Sequence, residues 1–382
     1  MARTKYWVWL SGFNIGSAVK RRLLDVFGDP EKIFFADRSE LAAARLTERE
    51  LALLGDKSME RASQILSDCD SRGIAIYTLQ DADYPERLRQ IPDPPAVLYV
   101  RGKLPPVDDL ACVAVVGTRR TSPYGARMAQ RIGAEIAGAG GVVVSGFAAG
   151  VDSAAMEGAL RAGGLVVGVL GTAVDEVYPK SSRPLFDQCA VTGAILSEYP
   201  PRMRTQPWNF KERNRILSGL SLGVVVVEAP ARSGSLVTAG HALEQNRDVF
   251  AVPGNADAPA CAGTNRLLRQ GAVPVMSGND VMEHYRSDFA PAEAKEHPIQ
   301  LKKEIDKGQD LLYIDLVEKI QGLAEPQRSV ALAMTEPDML PDDITAKTGL
   351  PAQRVMAALT LLEIAGVVRQ ENRRYSLALQ KG

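Results

Sequence analysis

The sequence predicts an α/β protein: a central Rossmann-like, doubly wound, mostly parallel sheet, with a helical domain before it and a winged-helix domain after it. Three observations carry this. Six apolar, β-branched runs between residues 111 and 252 alternate with segments long enough for helices, as a parallel sheet covered on both faces requires. The first hundred residues space their apolar positions three or four apart, with no strand-like run until Ile74. From Leu340 to Leu377 the chain reads as helix, glycine turn, helix and hairpin.

Length and composition fit that plan. A chain of 382 residues suggests two or three domains, here bounded as 1–100, 101–290, a linker at 291–309, and 310–382. A hydrophobic share of 46% and a charged share of 24% are those of a globular protein. The net charge of -1 leaves no electrostatic footprint on the whole chain, so any polyanion site must come from local clustering. Cys69, Cys112, Cys189 and Cys261 form no C-x-x-C pair, which argues against zinc or a disulfide framework and for a reducing compartment. The three histidines share no ligand spacing, so no metal site and no histidine-centred catalysis is expected. The apolar run Tyr6-Trp-Val-Trp-Leu10 meets Ser11-Gly12 too soon for a signal segment or a membrane span; cytoplasmic residence follows as the expectation.

Taken in order, residues 17–27, 39–44, 48–54 and 58–72 are helical, punctuated by Gly28-Asp29-Pro30 and Asp56. Gly12 to Ala18 has the form of a helix-hairpin-helix turn, although glycines that merely end one helix and start another read the same way. Residues 74–78 and 97–100 are short strands in a connector around the proline-rich Ile91-Pro-Asp-Pro-Pro95. The sheet strands fall at 111–116, 142–145, 165–170, 194–197, 222–227 and 249–252. Residues 291–308 are charge-mixed and linker-like. A helix at 310–320, the pair 340–349 and 350–365, and a hairpin at 366–377 complete the winged helix. Its second helix carries only Arg354 as a cation, too little to grip a phosphate backbone, which favours a protein-contact or accessory role.

The chemistry-bearing segments sit at the carboxyl ends of these strands, where doubly wound sheets bind ligands. The first strand ends in Gly117-Thr118-Arg119-Arg120-Thr-Ser-Pro. A dinucleotide fingerprint would put its second glycine at Arg119, so a cofactor pyrophosphate is disfavoured and no cofactor is expected. The arginines instead make an anion site suited to a phosphodiester, unless they simply pair with surface carboxylates. The second strand ends in Ser145-Gly146-Phe-Ala-Ala-Gly150-Val-Asp152: the glycines allow close backbone approach, and Asp152 reads as a structural helix cap. Lys180 lies in the loop after the third strand. From Arg202 to Arg215 there are five cations and one anion, a local charge of +4, with Trp208 and Phe210 interleaved and Asn214 between two arginines. Rings so placed can stack bases for roughly 1–3 kcal/mol each, though at least one of the two is expected in the core. Ser233-Gly234-Ser235 presents hydroxyls and amides at a helix start, a further anion cradle.

In this order the motifs Val116-Gly-Thr-Arg-Arg, Ser145-Gly-Phe-Ala-Ala-Gly-Val-Asp, Tyr178-Pro179, Ser197-Glu-Tyr-Pro200, Arg213-Asn-Arg-Ile-Leu-Ser-Gly-Leu, Ser233-Gly-Ser-Leu-Val-Thr-Ala and Phe250-Ala-Val-Pro-Gly254 resemble the DNA-processing protein A family (DprA, also called Smf). The resemblance spans the central domain; the first region is similar to the family's sterile-alpha-motif-like domain and the last to its winged helix. It implies a non-enzymatic, single-stranded DNA-binding protein that protects incoming DNA in natural transformation and loads RecA, as a homodimer through the Rossmann-like domain. Carried over by position, the DNA-gripping residues are Arg119, Lys180, Arg213 and Arg215, with Ser233 and Ser235 near the strand. Two departures stand out: Ser182 where the family usually has asparagine, and Phe210-Lys-Glu212 where a proline and a further basic residue are common. The competing reading is a nucleotide-processing hydrolase of the lysine-decarboxylase-like phosphoribohydrolase type, with Glu244 as its carboxylate; a pure scaffold is the third.

Overall fold

The computed structural model describes residues 3–13, 15–287, 289, 325–334, 339–364, 367–371 and 374–377. Residues Met1–Ala294 form one compact unit and Lys295–Gly382 another. The expected linker at 291–309 and the helix at 310–320 lie outside the described residues.

The first unit opens with six short helices, α1 (Thr4–Ser11), α2 (Ser17–Phe27), α3 (Pro30–Phe35), α4 (Arg38–Ala42), α5 (Glu48–Leu54) and α6 (Glu60–Ser71). Their ends follow local chemistry. Gly28 closes α2 at φ 76°, a left-handed position that suits glycine. Asp37 and Thr47 start α4 and α5 with reciprocal capping boxes to Glu40 and Glu50. Strands β1 (Ala75–Thr78) and β2 (Val97–Gly102) flank the short helix α7 (Glu86–Arg89).

Next come β3 (Cys112–Val116), α8 (Pro123–Gly138), β4 (Val142–Ser145), α9 (Val151–Arg161), β5 (Val166–Leu170), α10 (Arg183–Thr192), β6 (Ala194–Ser197) and α11 (Asn209–Gly219). The unit ends with β7 (Gly223–Val226), α12 (Ser235–Glu244), β8 (Asp248–Ala251), α13 (Ala262–Arg269), β9 (Val273–Pro274) and α14 (Gly278–His284). All nine strands form one sheet in the order β1-β2-β6-β5-β4-β3-β7-β8-β9. The seven from β6 to β9 are parallel; β2 pairs antiparallel with β6 on that edge, and β1 pairs antiparallel with β2.

The six sequence-read strands are thus β3 to β8, and the doubly wound, mostly parallel sheet is observed. Two features go beyond that reading. The short strands expected in the connector extend the main sheet through β2, and β9 adds a two-residue edge too short to leave a periodic signal. Apolar side chains cover both faces, one core holding Cys112, Ala114 and Val116 and the other holding Val113 and Val115, because successive strand residues point to opposite faces. A third core joins the N-terminal helices to Val97 and Tyr99 of β2.

In the second unit, helices Gln327–Ala333, Pro341–Thr348 and Ala352–Ile364 precede a hairpin of β10 (Val368–Glu371) and β11 (Arg374–Leu377). Gly349 ends the middle helix at φ 65°, the glycine turn expected between two helices. Val355, Leu359 and Leu362 pack inward with Ile344 and Tyr375, which completes a winged helix.

Candidate functional site

The chain order reverses at β3, which lies between β4 and β7. In such sheets the crevice outside the carboxyl ends of the strands at this switch point is the usual ligand seat. Here a side chain of the protein fills it. Glu228, two residues beyond β7 and only 1% exposed, accepts from the Ser122 amide at 2.8 Å, the Ser122 hydroxyl at 2.7 Å and the Thr121 hydroxyl at 2.8 Å. The Ser122 hydroxyl also caps α8 by accepting from the Gly125 amide. The anion site expected at the start of α8 is therefore already taken by a carboxylate. A Cβ at Gly125 would lie 2.4 Å from that carboxylate, and one at Gly117 would lie 2.5 Å from Val151 and 2.8 Å from the Glu228 carbonyl.

The arginine turn rides on this packed base. The Thr118 amide donates to the Glu228 carbonyl at 2.7 Å, and the Arg120 amide donates to the Thr118 hydroxyl at 3.2 Å. Gly150, at φ 88°, brings the β4–α9 turn so close that a Cβ would sit 2.4 Å from the Thr118 carbonyl. Only glycine accommodates both that conformation and that contact. Arg119 and Arg120 are consequently pushed out to the surface, both exposed.

Beside the switch point, over the ends of β3, β4 and β5, lies a cavity of about 150 Å³ lined by Arg119, Gly146, Tyr178, Phe210 and Arg213 among others. The Arg119 guanidinium stands 5.5 Å from the Phe210 ring centroid, a cation–π arrangement. Tyr178 and Phe210 have centroids 5.4 Å apart. Arg213 forms the floor. It is 4% exposed, donates to the Gly146 carbonyl at 2.9 Å and to the Val169 carbonyl, and packs so tightly that a Cβ on Gly146 would fall 2.5 Å from its guanidinium nitrogens.

Two shifted groups meet at this floor. Asp152 is buried, accepts from the Gly146 amide at 3.1 Å, and is pushed up to about 6 by that burial against the opposing pull of Arg213. Burial likewise lowers Arg213 to about 10, with Asp152 acting against the shift and Arg119 adding to it. Asp152, read from the sequence as the cap of α9, sits instead inside the first turn and holds the β4 end, while Gly150 occupies the cap position.

The remaining expected residues divide. Lys180 is exposed on a single helical turn, two residues after Tyr178. Ser233, Gly234 and Ser235 start α12, where the two hydroxyls bond each other at 2.7 Å, so the cradle is partly self-satisfied. Asn214 ties α11 to it by donating to the Gly234 carbonyl at 3.3 Å. Trp208 is 51% exposed and lines a different cavity, and Phe210 is the half-buried ring of the two.

Arg215 is placed elsewhere. It is 3% exposed, bidentate to Glu198 at 2.9 and 3.0 Å, and bonded to the Asp93 carboxylate and carbonyl at 3.1 and 2.9 Å. Its remaining nitrogen donates to the Glu212 carbonyl at 3.1 Å, and a guanidinium so buried and so paired is not presented to an incoming phosphate. Arg202 pairs with Asp68 at 2.8 Å. The +4 count from 202 to 215 thus overstates the field at the surface, because Arg215 is neutralised inside the fold and the exposed Arg202 is paired with the buried Asp68.

Two residues escaped the sequence reading of the site. Tyr178 shares a loop with Lys180, and an aromatic so close to a rim lysine was a usable signal. Glu228 lies two residues past β7, but nothing in the sequence shows that its carboxylate turns back across the sheet to Ser122.

The family model described as DNA recombination-mediator protein A matches residues 75–286, and the DprA winged helix domain model matches residues 318–372. Protein Smf of Synechocystis sp. is 32% identical over 96% of this chain and 96% of its own length. The DNA processing protein DprA of Bacillus subtilis is 39% identical over 58% of this chain and 74% of its own. Among solved structures, DNA processing protein A of Streptococcus pneumoniae superposes with a TM-score of 0.62 at 33% identity, covering 73% of this chain and 95% of that one. That of Helicobacter pylori, described for its single-stranded DNA binding mode, gives 0.51 at 31% identity over 56% and 96%.

Proposed function

From the premise that the chain belongs to the DNA recombination-mediator protein A family, we propose that it binds single-stranded DNA along the rim formed by Arg119, Lys180, Phe210 and Arg213. The observation that carries this reading is the cavity in which Arg119 lies over Phe210 above the buried Arg213. Two cations answer the phosphate backbone. The rings of Phe210 and Tyr178 answer any base, which is the combination sequence-tolerant single-strand binding needs. Gly117, Thr118, Arg120, Gly146 and Gly150 shape the rim, and Ser233, Gly234, Ser235 and Asn214 border it. Protection of incoming DNA, loading of RecA and a homodimer through the Rossmann-like domain complete the proposal.

The hydrolase reading finds little support in this geometry. Glu244 ends α12, nine residues beyond Ser235, about 14 Å along the helix from the rim at 1.5 Å per residue. The rim carboxylate that is present, Glu228, has its oxygens occupied by Thr121 and Ser122. Among the described residues no helix is long and apolar enough to cross a membrane.

Mobility shifts with single- and double-stranded oligonucleotides at two salt concentrations test the proposal. Single strands are expected to bind more tightly, with log affinity falling by about 0.7 per phosphate contact per decade of salt. Arg119→Ala is expected to lower both affinity and slope. Equal affinity for both DNA forms, or an Arg119→Ala protein that binds single strands as well as the parent, would overturn it.

A further inference from the structure

We infer that a second cavity, on the adjoining face of the first turn of α11, is a base-binding subsite that selects a base bearing an exocyclic amino group. The inference rests on the single-strand reading above. Phe210 and Arg213, three apart, share the helix face that lines the Arg119 cavity. Trp208, Asn209 and Glu212 share the adjoining face and line a cavity of about 150 Å³, closed on its far side by Phe13 and Lys20 of the N-terminal region and by Tyr199. One residue step, about 100° around the helix, separates the two faces. A strand leaving the first cavity therefore passes the second, with Trp208 half exposed at its mouth.

The lining suits a planar polar heterocycle better than a phosphate. Lys20 is 8% exposed and uses one donor on the Ser11 carbonyl at 3.2 Å, while an ammonium has three. Asn209 is 2% exposed and its amide nitrogen has no hydrogen-bond partner; a buried amide left unpaired is costly, so a partner is expected there. Acceptor capacity comes from Glu212, which takes the Tyr199 hydroxyl at 3.3 Å on one oxygen. The other carboxylate on the wall, Glu198, is spent on Arg215. Two donors beside one carboxylate, with flat faces at Phe13, Tyr199 and Trp208, match a base edge that alternates ring acceptors with an amino donor. Cytosine and adenine present such an edge. Thymine offers a carbonyl where the amino group would be, and Glu212 would repel it.

The test is fluorescence anisotropy of the full chain with labelled dC20 and dT20, followed by cross-linking with a 5-iododeoxycytidine oligonucleotide. The parent protein is expected to bind dC20 about fivefold more tightly than dT20, the net worth of about one hydrogen bond to the amino group. Glu212→Met, a change at an exposed side chain that leaves the core untouched, is expected to bring the ratio near one while dT20 binding persists. Cross-links are expected at Trp208 or Tyr199. A parent with no preference for dC20, a ratio unchanged by Glu212→Met, or cross-links confined to Tyr178 and Phe210 would overturn the subsite and leave the single-strand reading standing. Failure to bind either oligonucleotide would overturn both.

Discussion

Replacing Arg215 with alanine is expected to damage the fold rather than the DNA surface. Its guanidinium holds both oxygens of Glu198 and both a carboxylate and a carbonyl of Asp93. Asp93 in turn accepts from the Ser17 hydroxyl at the start of α2 at 2.8 Å, and the Arg215 carbonyl accepts from Gln245, the residue that caps the end of α12. The residue therefore pins the N-terminal helices, β6 and α12 to α11. Removing one partner from a buried pair strands the other charge and costs about 3–5 kcal/mol. With a urea m-value of about 3 kcal/mol/M, the unfolding midpoint should fall by about 1–1.7 M. Pairing Arg215→Met with Glu198→Leu removes both charges and should recover part of that loss. Arg119→Ala supplies the contrast: an exposed side chain whose loss should move stability by about 0.5 kcal/mol or less while weakening single-strand binding. Urea denaturation and anisotropy on the three proteins decide the matter. An Arg215→Ala protein that keeps its midpoint and loses DNA affinity as far as Arg119→Ala would refute the assignment of Arg215 to the interior.

Gly146→Ala should place a methyl group 2.5 Å from the Arg213 guanidinium, forcing it off the Gly146 and Val169 carbonyls; a stability loss of about 1–3 kcal/mol and weaker single-strand binding are expected in the same two assays. Asp152, raised to about 6 from an ordinary 3.8, binds a proton more readily folded than unfolded, so its contribution makes stability fall as pH rises from about 4 to 6 and costs on the order of 3 kcal/mol above that. Protonating it below about pH 6 also removes the counter-charge beside Arg213, so single-strand affinity should rise between pH 7 and 5 at fixed ionic strength, and Asp152→Asn should bind more tightly at pH 7 and flatten that profile. In the winged helix, Met356 and Leu361 are the large exposed apolar residues of the helix that carries Arg354, so Arg354→Glu should leave single-strand affinity unchanged by anisotropy.

How far the sequence could be read depended on whether a feature is local. The strands from β3 to β8 were legible because a parallel strand buried on both faces must be apolar throughout, as Val113 to Val116 and Val224 to Val226 are. Arg119 was legible because it stands at a turn whose geometry is fixed by the residues beside it. Arg213 and Arg215 could not be told apart on the same grounds. They are two residues apart on one helix, hence about 200° apart around it, and their fates depend on what faces each side: backbone carbonyls and open cavity for Arg213, Glu198 and Asp93 for Arg215. The same limit hid the Glu228 contact, which joins residues 106 positions apart, and the wall that Lys20 contributes beside Asn209.

The filled switch point leaves the arginines of this turn on the surface, outside the crevice where this kind of sheet seats a cofactor. A dinucleotide would need the amides at the start of α8, and Glu228 already occupies the amide of Ser122 together with two hydroxyls. That internal carboxylate does for the helix start what a pyrophosphate does elsewhere, so the turn is stable with no ligand bound. With the crevice closed, what the rim offers to solvent is the exposed side chains of Arg119 and Lys180 and the cavity floored by Arg213. Changing Glu228 to glutamine would probe this directly: the carboxylate that accepts three hydrogen bonds becomes an amide that must donate as well, and the loss should register first as instability of the arginine turn.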